Sequence, residues 1–481
     1  MRMRAVLRLS ACGALMLLTL QLLARWVPPL QSPDELSHLI RAASIAEGQW
    51  LAQTEPGVST GGSFDIALSV LARVHVPVIK ERDPAVKDED LVTARTQGWT
   101  GRLIYGEAPG SAIYLPVIYA PAALGLAAGR AWDWTIAESY HLARLSSQLF
   151  CVLVVVLAVW VWPPPLLAWA LLLLPMSLFQ LVSPVVDGPA HALTLLAMSL
   201  LMRLRQQPAP GLAAGAGLCL LVLVTARMHL LPLLLLPFWW AWQSHESAMR
   251  PAAKGRAAAP ASATRAVAWA GAASLMGTLL WAAWASSTVV DTRVQRTMGN
   301  GAVALHYLLN PEDLWDVFAR TFADEHRPSF LLDSFIGNLG WLDTRLPDHA
   351  YGVLWWALAG VVVLGLPWRE PWRGTVIDRL VLLLCALGAS SLVFLLMLIT
   401  WSPFPTHLIE GVQGRYFIAP AIVAAYALGS WKRDAGPPSG FGPWQGVQTL
   451  VIMGFALMSV MFLAETLLNR YPAWARGGLF G

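Results

Sequence analysis

Charged residues are scarce in this chain. Asp, Glu, Lys and Arg make up 13% of its 481 residues, whereas 56% are apolar. Soluble domains average about 25% charged residues, so this chain has too little polar surface for a soluble fold. It does contain 24 tryptophans, a residue that concentrates where the apolar slab of a membrane meets water. The composition therefore predicts an integral membrane protein.

Several sequence motifs are missing as well. The four cysteines lie within apolar runs without paired spacing, so we expect neither a disulfide framework nor a cysteine metal site. No Walker loop, Cys/His metal cluster or nucleophile elbow is present, so nothing favours nucleotide hydrolysis or a serine mechanism. The net charge of +4 is small and reflects basic cytoplasmic loops, so no nucleic-acid partner is expected.

Eleven apolar runs approach the roughly 20 residues that an α-helix needs to cross a bilayer. They are residues 5–27, 139–162, 166–181, 188–204, 212–225, 230–242, 267–286, 352–366, 380–400, 416–431 and 447–467. We therefore predict an all-α polytopic membrane protein, with a single domain of about 11 transmembrane helices over residues 1–481. The first run follows Met-Arg-Met-Arg without a small-residue cleavage site, which predicts an uncleaved helix with a cytoplasmic N-terminus.

Basic residues in the loops indicate the orientation. Residues 250–265, within the loop 246–266, contain four basic residues and no acidic one. This loop and the basic pairs 203/205, 369/373 and 432/433 are expected in the cytoplasm. By alternation, four regions are expected outside: the large first loop 28–110, the loop 289–350, the turn 401–415 and the C-terminal tail.

The apolar segment 111–129 is the exception to this alternation. It contains Pro116 and Pro121, and counting it as a span would place Arg203 and Arg205 outside. We therefore expect a re-entrant or interfacial helix here.

The loop 289–350 contains the pattern of one amphipathic helix. Asn310 can cap it, Pro311 suits its first position, and an acidic pair follows at its positive end. Apolar residues recur at helical spacing from Leu314 to Phe322, so the helix is expected on the membrane surface or on the bundle.

The first candidate site follows the first helix, at the membrane face. Two adjacent carboxylates, Asp34 and Glu35, are followed by His38 and Arg41. Asp34 could accept the proton of an incoming hydroxyl, as general-base catalysis requires. The same stretch also fits a helix start, with Ser32 as the cap and acidic residues in the first turn. Both interpretations can hold together.

Charged or titratable residues inside or beside the apolar runs form a second candidate set. These are Arg144, Asp187, His191, Arg227 and His229. Such residues are costly in lipid and usually face a cavity or a partner. In the expected orientation Arg144, Asp187 and the turn containing Arg227 approach the outer face, where cations could meet a lipid-linked phosphate. Interfacial snorkelling is the alternative for each arginine, and their convergence on one side favours a site.

A third candidate set lies in the outer turn 401–417. Gly411 and Gly414 flank Gln413 and allow a tight turn that directs side chains towards a ligand. Arg415 offers a planar fork of donors suited to a phosphate or a carboxylate. A solvated turn with an arginine near the next helix is the alternative interpretation.

Six short motifs along the chain carry a family resemblance. They are Pro33-Asp34-Glu35 with His38 and Arg41, Tyr114-Leu115-Pro116, Arg144-Leu145, Leu174-Pro175-Met176 with Gln180, Ser183 and Asp187, residues 334–343 (Ser-Phe-Ile-Gly-Asn-Leu-Gly-Trp-Leu-Asp) and residues 411–417. In this order they resemble a family of predicted bacterial membrane proteins numbered 2142 among the domains of unknown function. The chain departs from that family at Ala226-Arg227-Met228-His229, where such proteins often have residues like Lys-Pro-Pro-Tyr, although a cation remains.

This family is in turn similar to the GT-C superfamily of glycosyltransferases, which take sugars from polyprenyl-phosphate carriers. The resemblance implies a GT-C-like bundle in the bacterial inner membrane, with its active site facing the periplasm. Asp34 would be the base that deprotonates the acceptor, and Glu35 would position it. Arg227, His229 or Arg415 would hold the donor phosphate and stabilise it as it leaves.

The sequence therefore favours a membrane glycosyltransferase that moves a sugar from a polyprenyl-phosphate donor to a surface glycan or lipid acceptor. No cofactor is expected, because two adjacent carboxylates could hold a divalent cation but do not establish a site. A transporter or flippase for lipid-linked glycans is the main alternative, although it would place its decisive charges mid-membrane. A third alternative is an assembly factor without catalysis, since a fold does not determine function.

Overall fold

A computed structural model describes residues 2–80, 88–249, 260–294, 298–368, 375–431 and 443–472 of the chain. Within these residues the protein is mostly helical. The helices are α1 (Arg2–Ala24), α2 (Glu35–Ala46), α3 (Leu68–Lys80), α4 (Asp88–Thr96), α5 (Pro109–Ala112), α6 (Ala120–Ala131), α7 (Ile136–Val161), α8 (Leu166–Leu172), α9 (Pro175–Val182), α10 (Asp187–Gln206), α11 (Pro210–Ala226), α12 (Leu236–Met249), α13 (Ala261–Thr288), α14 (Asn300–Leu309), α15 (Pro311–Ala323), α16 (Arg327–Ile336), α17 (Asp348–Gly365), α18 (Val376–Thr400), α19 (Ile418–Leu428) and α20 (Pro443–Arg470). Short 3-10 helices precede α6, α12 and α19, at Pro116–Tyr119, Met228–Leu235 and Gly414–Phe417.

Six of these helices are long and apolar enough to cross a membrane: α1, α7, α13, α17, α18 and α20. Helices α9 and α10 provide a seventh span if they are counted as one, although they are bent by 112°. The prediction of a helical membrane protein is therefore confirmed, and the predicted count of about 11 spans is not. Several apolar runs are divided into short pieces; the run 166–181 becomes α8 and α9, which separate before Pro175 because proline cannot continue the hydrogen-bond ladder.

The segment 111–129 forms α5, a 3-10 helix and α6. With 12 residues, α6 is about 18 Å long and is shorter than the roughly 30 Å of hydrocarbon in a bilayer. Pro116 and Pro121 each lie in the first turn of a helix, where the missing N–H costs nothing. The segment is therefore divided into short helices, none of which is long enough to span a bilayer by itself.

Two small antiparallel sheets accompany the helices, and both lie in the large loops. Strand β1 (Gly61–Asp65) pairs with β2 (Leu103–Glu107), with Gly61 opposite Glu107. Strand β3 (Asn338–Leu339) pairs with β4 (Thr344–Arg345). The first sheet ends at Asp65, whose carboxylate accepts backbone N–H bonds from residues 100 and 101 at 3.0 and 2.7 Å. The loop 28–110 is thus an ordered layer of helices and strands over its described residues.

Helix α10 joins two polar clusters at opposite ends of the bundle. Asp187 is its first residue, and Arg205 lies 18 residues later, about 27 Å along the helix axis. Arg205 donates through Nε to Asp378 at 2.8 Å, and Trp239 donates to the same carboxylate at 2.9 Å. Arg379, the next residue of α18, donates to the carbonyl of residue 429 at 2.9 Å. Most of the basic residues expected in cytoplasmic loops, at 250, 254, 256, 369, 373, 432 and 433, lie outside the described residues.

Candidate functional site

Asp34 occupies the N-cap position of α2 in a left-handed conformation. Its φ angle is 63°, and its side chain makes no capping bond to the helix. A non-glycine residue in this region stores about 1–3 kcal/mol of strain, so the surrounding structure must hold it there. The expected cap Ser32 instead bonds through Oγ to Ser183 Oγ at 2.6 Å, and the helix begins at Glu35. The turn therefore directs the Asp34 carboxylate away from its own helix.

Four side chains from distant parts of the chain form a network that we call the carboxylate–guanidinium network: Asp34, Arg415, Asp187 and Arg227. Arg415 lies 3.0 Å from Asp34 through Nη2 and 3.4 Å from Asp187 through Nη1. Arg227 forms an ion pair with the other oxygen of Asp187. It also donates through Nη1 to the hydroxyl of Tyr114 at 2.9 Å. Asp187 and Arg227 of the second candidate set and Arg415 of the third thus meet Asp34 of the first.

Burial differs sharply within this network. Arg415, Asp187 and Arg227 are buried, whereas 56% of the Asp34 side chain is exposed. Ion pairs in a low-dielectric interior interact more strongly than those in water, and their charges must stay paired. Asp34 is consequently the one carboxylate of the network that an incoming molecule can reach directly.

Two glycines position Arg415 at the start of its 3-10 helix. A Cβ on Gly414 would collide with the backbone of α16, at Leu331 and Phe335. The amide of Gly414 also donates to Ser334 Oγ at 2.8 Å. Gly411 adopts a φ of 75° and lies against Trp401, which leaves no room for a side chain. The predicted tight turn is therefore present, and it docks on the motif of residues 334–343.

Aromatic side chains border the two arginines. The Arg227 guanidinium lies over Tyr114, 5.3 Å from the ring centre, and Arg415 lies over Tyr416 at 5.2 Å. Such contacts with a ring face stabilise a cation. In the sequence Tyr114 stands out only as part of a motif, and Tyr416 has no distinct signal, because tyrosine beside an apolar run also fits an interfacial aromatic.

His38 lies behind the network on α2. Its Nδ1 is 2.8 Å from the Tyr119 hydroxyl, and its ring is buried. Burial lowers the pKa of His38 to about 4, and the nearby charges of Asp34 and Asp187 only partly oppose this effect. His38 is therefore neutral at physiological pH and supports the site as a hydrogen-bonding group.

Glu35 points into the protein, unlike its neighbour Asp34. It is completely buried and accepts hydrogen bonds from the Tyr140 hydroxyl and, at 2.9 Å, from the backbone N–H of Ser32. The reciprocal bond runs from the N–H of Glu35 to the Ser32 carbonyl at 3.1 Å. Glu35 consequently fixes the turn that presents Asp34, and its placement leaves no direct route to a substrate.

Arg41 and Arg144 lie outside the network, although both were candidates for substrate binding. Arg41 donates to Ser44 Oγ at 3.2 Å and to the carbonyls of residues 49 and 50. Arg144 donates to carbonyls that follow α1, at 2.8 Å from Val27 and 3.1 Å from Pro28. Carbonyls at a helix end lack intrahelical partners, so a cation there completes the backbone bonding. These two arginines therefore shape the loop that carries Asp34.

Over the described ranges, three polar side chains near the network have a buried hydrogen-bonding atom without a partner. Among the described residues, no partner lies within bonding distance of His191 Nδ1, His229 Nε2 or Gln413 Oε1. His191 lies one helical turn beyond Asp187, His229 follows Arg227 by two residues, and Gln413 precedes Arg415 by two. Unsatisfied buried polar atoms are rare and call for an explanation, such as a ligand or water. His229 and Gln413 thus remain candidates for binding.

No group of three or more His, Cys, Asp or Glu side chains suited to a metal ion occurs in the part of the chain that the structure describes. Asp34 and Asp187 each form an ion pair with a guanidinium, so the network is built from carboxylate–arginine pairs.

Comparison with known proteins gives one match. No curated protein and no solved structure shows significant similarity to the chain. The family model described as a predicted membrane protein, DUF2142, matches residues 17–424, which include all four residues of the network. This match covers most of the chain, so the protein belongs to the DUF2142 family of predicted membrane proteins.

Proposed function

We propose that this protein is a glycosyltransferase of the bacterial inner membrane. It transfers a sugar from a polyprenyl-phosphate carrier to a cell-surface glycan or lipid acceptor on the periplasmic side. The observation that carries the proposal is the carboxylate–guanidinium network, in which the half-exposed carboxylate of Asp34 adjoins the buried guanidinium of Arg415.

The chemistry requires a base for the acceptor hydroxyl and a cationic group for the leaving phosphate. Asp34 removes the proton of the acceptor hydroxyl while that oxygen bonds to the anomeric carbon. The bond from this carbon to the phosphate oxygen breaks, and the electron pair leaves with the polyprenyl phosphate. Attack opposite the leaving group inverts the configuration. Arg415 and Arg227 stabilise the negative charge that grows on the departing phosphate.

The ion pair between Asp34 and Arg415 gives the reaction an order. In the structure the fork of Arg415 donors is occupied by Asp34. A donor phosphate competes for the same donors and so releases the Asp34 carboxylate. Donor binding thereby frees this carboxylate to accept the proton of the acceptor hydroxyl.

The location of the charges supports catalysis more than transport. The network lies at one end of α10, and the pair of Arg205 and Asp378 lies at the other end. A transporter is expected to place its substrate site near the middle of the membrane. Basic residues favour the cytoplasmic side, so the Arg205 end fits the cytoplasm and the Asp34 end fits the periplasm.

The test uses a strain that lacks the chromosomal gene. It compares this strain without added protein, with the wild-type protein and with the Asp34→Asn variant. Surface glycans and lipid-linked intermediates are measured by mass spectrometry. The matched control is Asp316→Asn, since Asp316 is an exposed, ion-paired aspartate on α15 outside the network. Membrane insertion of each variant is quantified from its level in the membrane fraction.

Glycosyl transfer predicts a glycan that lacks one sugar, with the polyprenyl-phosphate donor accumulating, in both the null strain and Asp34→Asn. Asp316→Asn behaves as wild type. Complete lipid-linked units trapped in the null strain, together with full function of Asp34→Asn, would contradict the proposal and identify a transporter.

A further inference from the structure

Helices α14 and α15 form a hairpin against one end of α18. Val303 and Tyr307 of α14 and Val317 of α15 pack with Val393 and Leu398 of α18. The amphipathic helix expected in this loop is thus present over Pro311–Ala323. One side of this helix packs on the bundle, as one of the two expected positions requires.

The hairpin is fixed to the chain that leads into the network. Thr321 Oγ1 accepts a hydrogen bond from the N–H of Ile409 at 2.9 Å. Arg320 lies 3.0 Å from His407 through Nη1. The hairpin therefore occupies the same end of the bundle as Arg415.

Helix α15 has three distinct faces. At 100° per residue, Leu314, Val317, Phe318 and Thr321 cluster on the side that packs on the bundle. The exposed acidic residues and Arg320 occupy a second side. Trp315 and Phe322 lie together on the third side, and 75% of Trp315 is exposed. A helix in water needs only a packed side and a polar side. The exposed apolar side of α15 therefore requires another explanation.

Helix α14 also exposes large apolar side chains, and it contains no Asp, Glu, Lys or Arg. Its outer side consists of Leu305, Leu308 and Leu309, which are 54%, 77% and 69% exposed. Together with Trp315 and Phe322 these leucines are exposed large apolar side chains of the two helices, and we call them the apolar rim. Exposed groups of large apolar side chains mark contacts with lipid or with another protein.

The position of the rim along α18 indicates which contact it makes. Phe394, which contacts Phe322 and Phe318, lies 16 residues after Asp378. At 1.5 Å per residue this is about 24 Å, and Leu398 lies at about 30 Å. The hydrocarbon core is about 30 Å thick, so the rim is level with the far edge of the core if Asp378 marks the near edge. Lipid-facing leucines of α18, such as Leu384 and Leu387, continue the same apolar exposure.

We propose that the apolar rim is inserted into the hydrocarbon of the outer leaflet, so that residues 300–322 form a membrane-embedded hairpin and not a water-exposed loop. Trp315 lies where an aromatic side chain marks the interface, and the charged side of α15 faces water. Lipid hydrocarbon is favoured over a partner protein because the rim is continuous with the lipid-facing side of a spanning helix. Membrane insertion is inferred from the exposure of the rim side chains and from their depth along α18, and it does not depend on the proposed enzymatic function.

The test is spin labelling of single cysteines in a background without the four native cysteines. Labels are placed at Leu308, Leu309 and Trp315, and the matched control is Asp316→Cys on the charged side of α15. The full-length protein is reconstituted in vesicles of phosphatidylethanolamine and phosphatidylglycerol. Collision with oxygen, which concentrates in hydrocarbon, is compared with collision with a water-soluble nickel chelate.

Insertion predicts an oxygen-to-nickel accessibility ratio above unity at the three rim positions and below unity at Asp316. Equal ratios at Leu308, Leu309 and Asp316 would place the rim in water and overturn the proposal. Low accessibility to both reagents at Leu308 and Leu309 would place the rim in a protein interface and overturn it as well. Replacing exposed leucines by labelled cysteine removes no packed side chain, so the variants are expected to fold.

Discussion

Arg415 donates through Nη2 to Oδ2 of Asp34 across 3.0 Å, and the two residues are 381 positions apart in the chain. The other terminal nitrogen of the same guanidinium lies 3.4 Å from Asp187. One planar fork therefore joins the exposed carboxylate at the start of α2 to the buried carboxylate at the start of α10. In the proposed transfer reaction, the donor phosphate competes with Asp34 for this guanidinium.

Replacing Arg415 by lysine should lower transfer activity roughly a hundredfold, within the range for removal of a transition-state donor. Lysine keeps the charge but offers one nitrogen, which cannot serve Asp34 and Asp187 together. The measurement is the transfer rate in membranes at equal protein level. Arg345→Lys is the control, because Arg345 is exposed and pairs with Asp333 away from the network. Undiminished activity of the Arg415 variant would show that the fork is unimportant.

Asp187 and Asp34 should differ in their effects on stability. Asp187→Asn leaves Arg227 and Arg415 buried without their shared carboxylate, and breaking such a pair costs about 3–5 kcal/mol. Asp34→Asn should change stability little, because Asp34 is half-exposed and Arg415 retains Asp187. Thermal unfolding in detergent compares the two variants. Equal melting temperatures for both would contradict the assignment of Asp187 as the buried centre of the network.

Glu35→Gln should reduce stability without abolishing transfer. The amide has one acceptor oxygen, whereas Glu35 accepts from both Ser32 and Tyr140. One unsatisfied buried partner costs about 1–3 kcal/mol. The melting temperature and the transfer rate per folded molecule are measured side by side with Asp34→Asn. If Glu35→Gln abolished transfer at full stability, Glu35 would belong to the reaction itself.

The sequence identified the members of the network for a physical reason. Asp187 and Arg227 are charged residues within or beside apolar runs, where an unpaired charge is too costly to persist. Asp34 was a candidate as one of two adjacent carboxylates, and Arg415 because it follows a glycine-flanked turn. The cost of an unpaired charge places Asp187 and Arg227 against partners, and the structure brings these four residues together. Arg144 could not be separated from them in the sequence, because backbone carbonyls can also accept the hydrogen bonds of a buried guanidinium.

The number of spans was less predictable for a different reason. Hydropathy reports whether a run is apolar but not whether it continues as one helix. Residues 166–181 are apolar throughout, yet they form α8 and α9, and α9 and α10 meet at 112°. Bending at membrane depth is tolerated when neighbouring helices enclose the freed backbone groups, and α9 is buried throughout. Tertiary packing therefore determined these breaks.

His38 should make the protein less stable as the pH falls below 6.5. Burial holds its pKa at about 4 in the folded state, whereas an unfolded histidine titrates near 6.5. Between pH 4 and pH 6.5 this histidine binds a proton in the unfolded chain but not in the folded chain. The free energy of unfolding is therefore greatest above pH 6.5 and declines towards pH 4. His38→Gln can still bond with Tyr119 but cannot titrate. Melting temperatures of both proteins from pH 7.5 to pH 4.5 isolate this contribution, because all other titrating groups are shared. The wild type should lose more stability than the variant over this range, and parallel curves would show that His38 is not held neutral by burial.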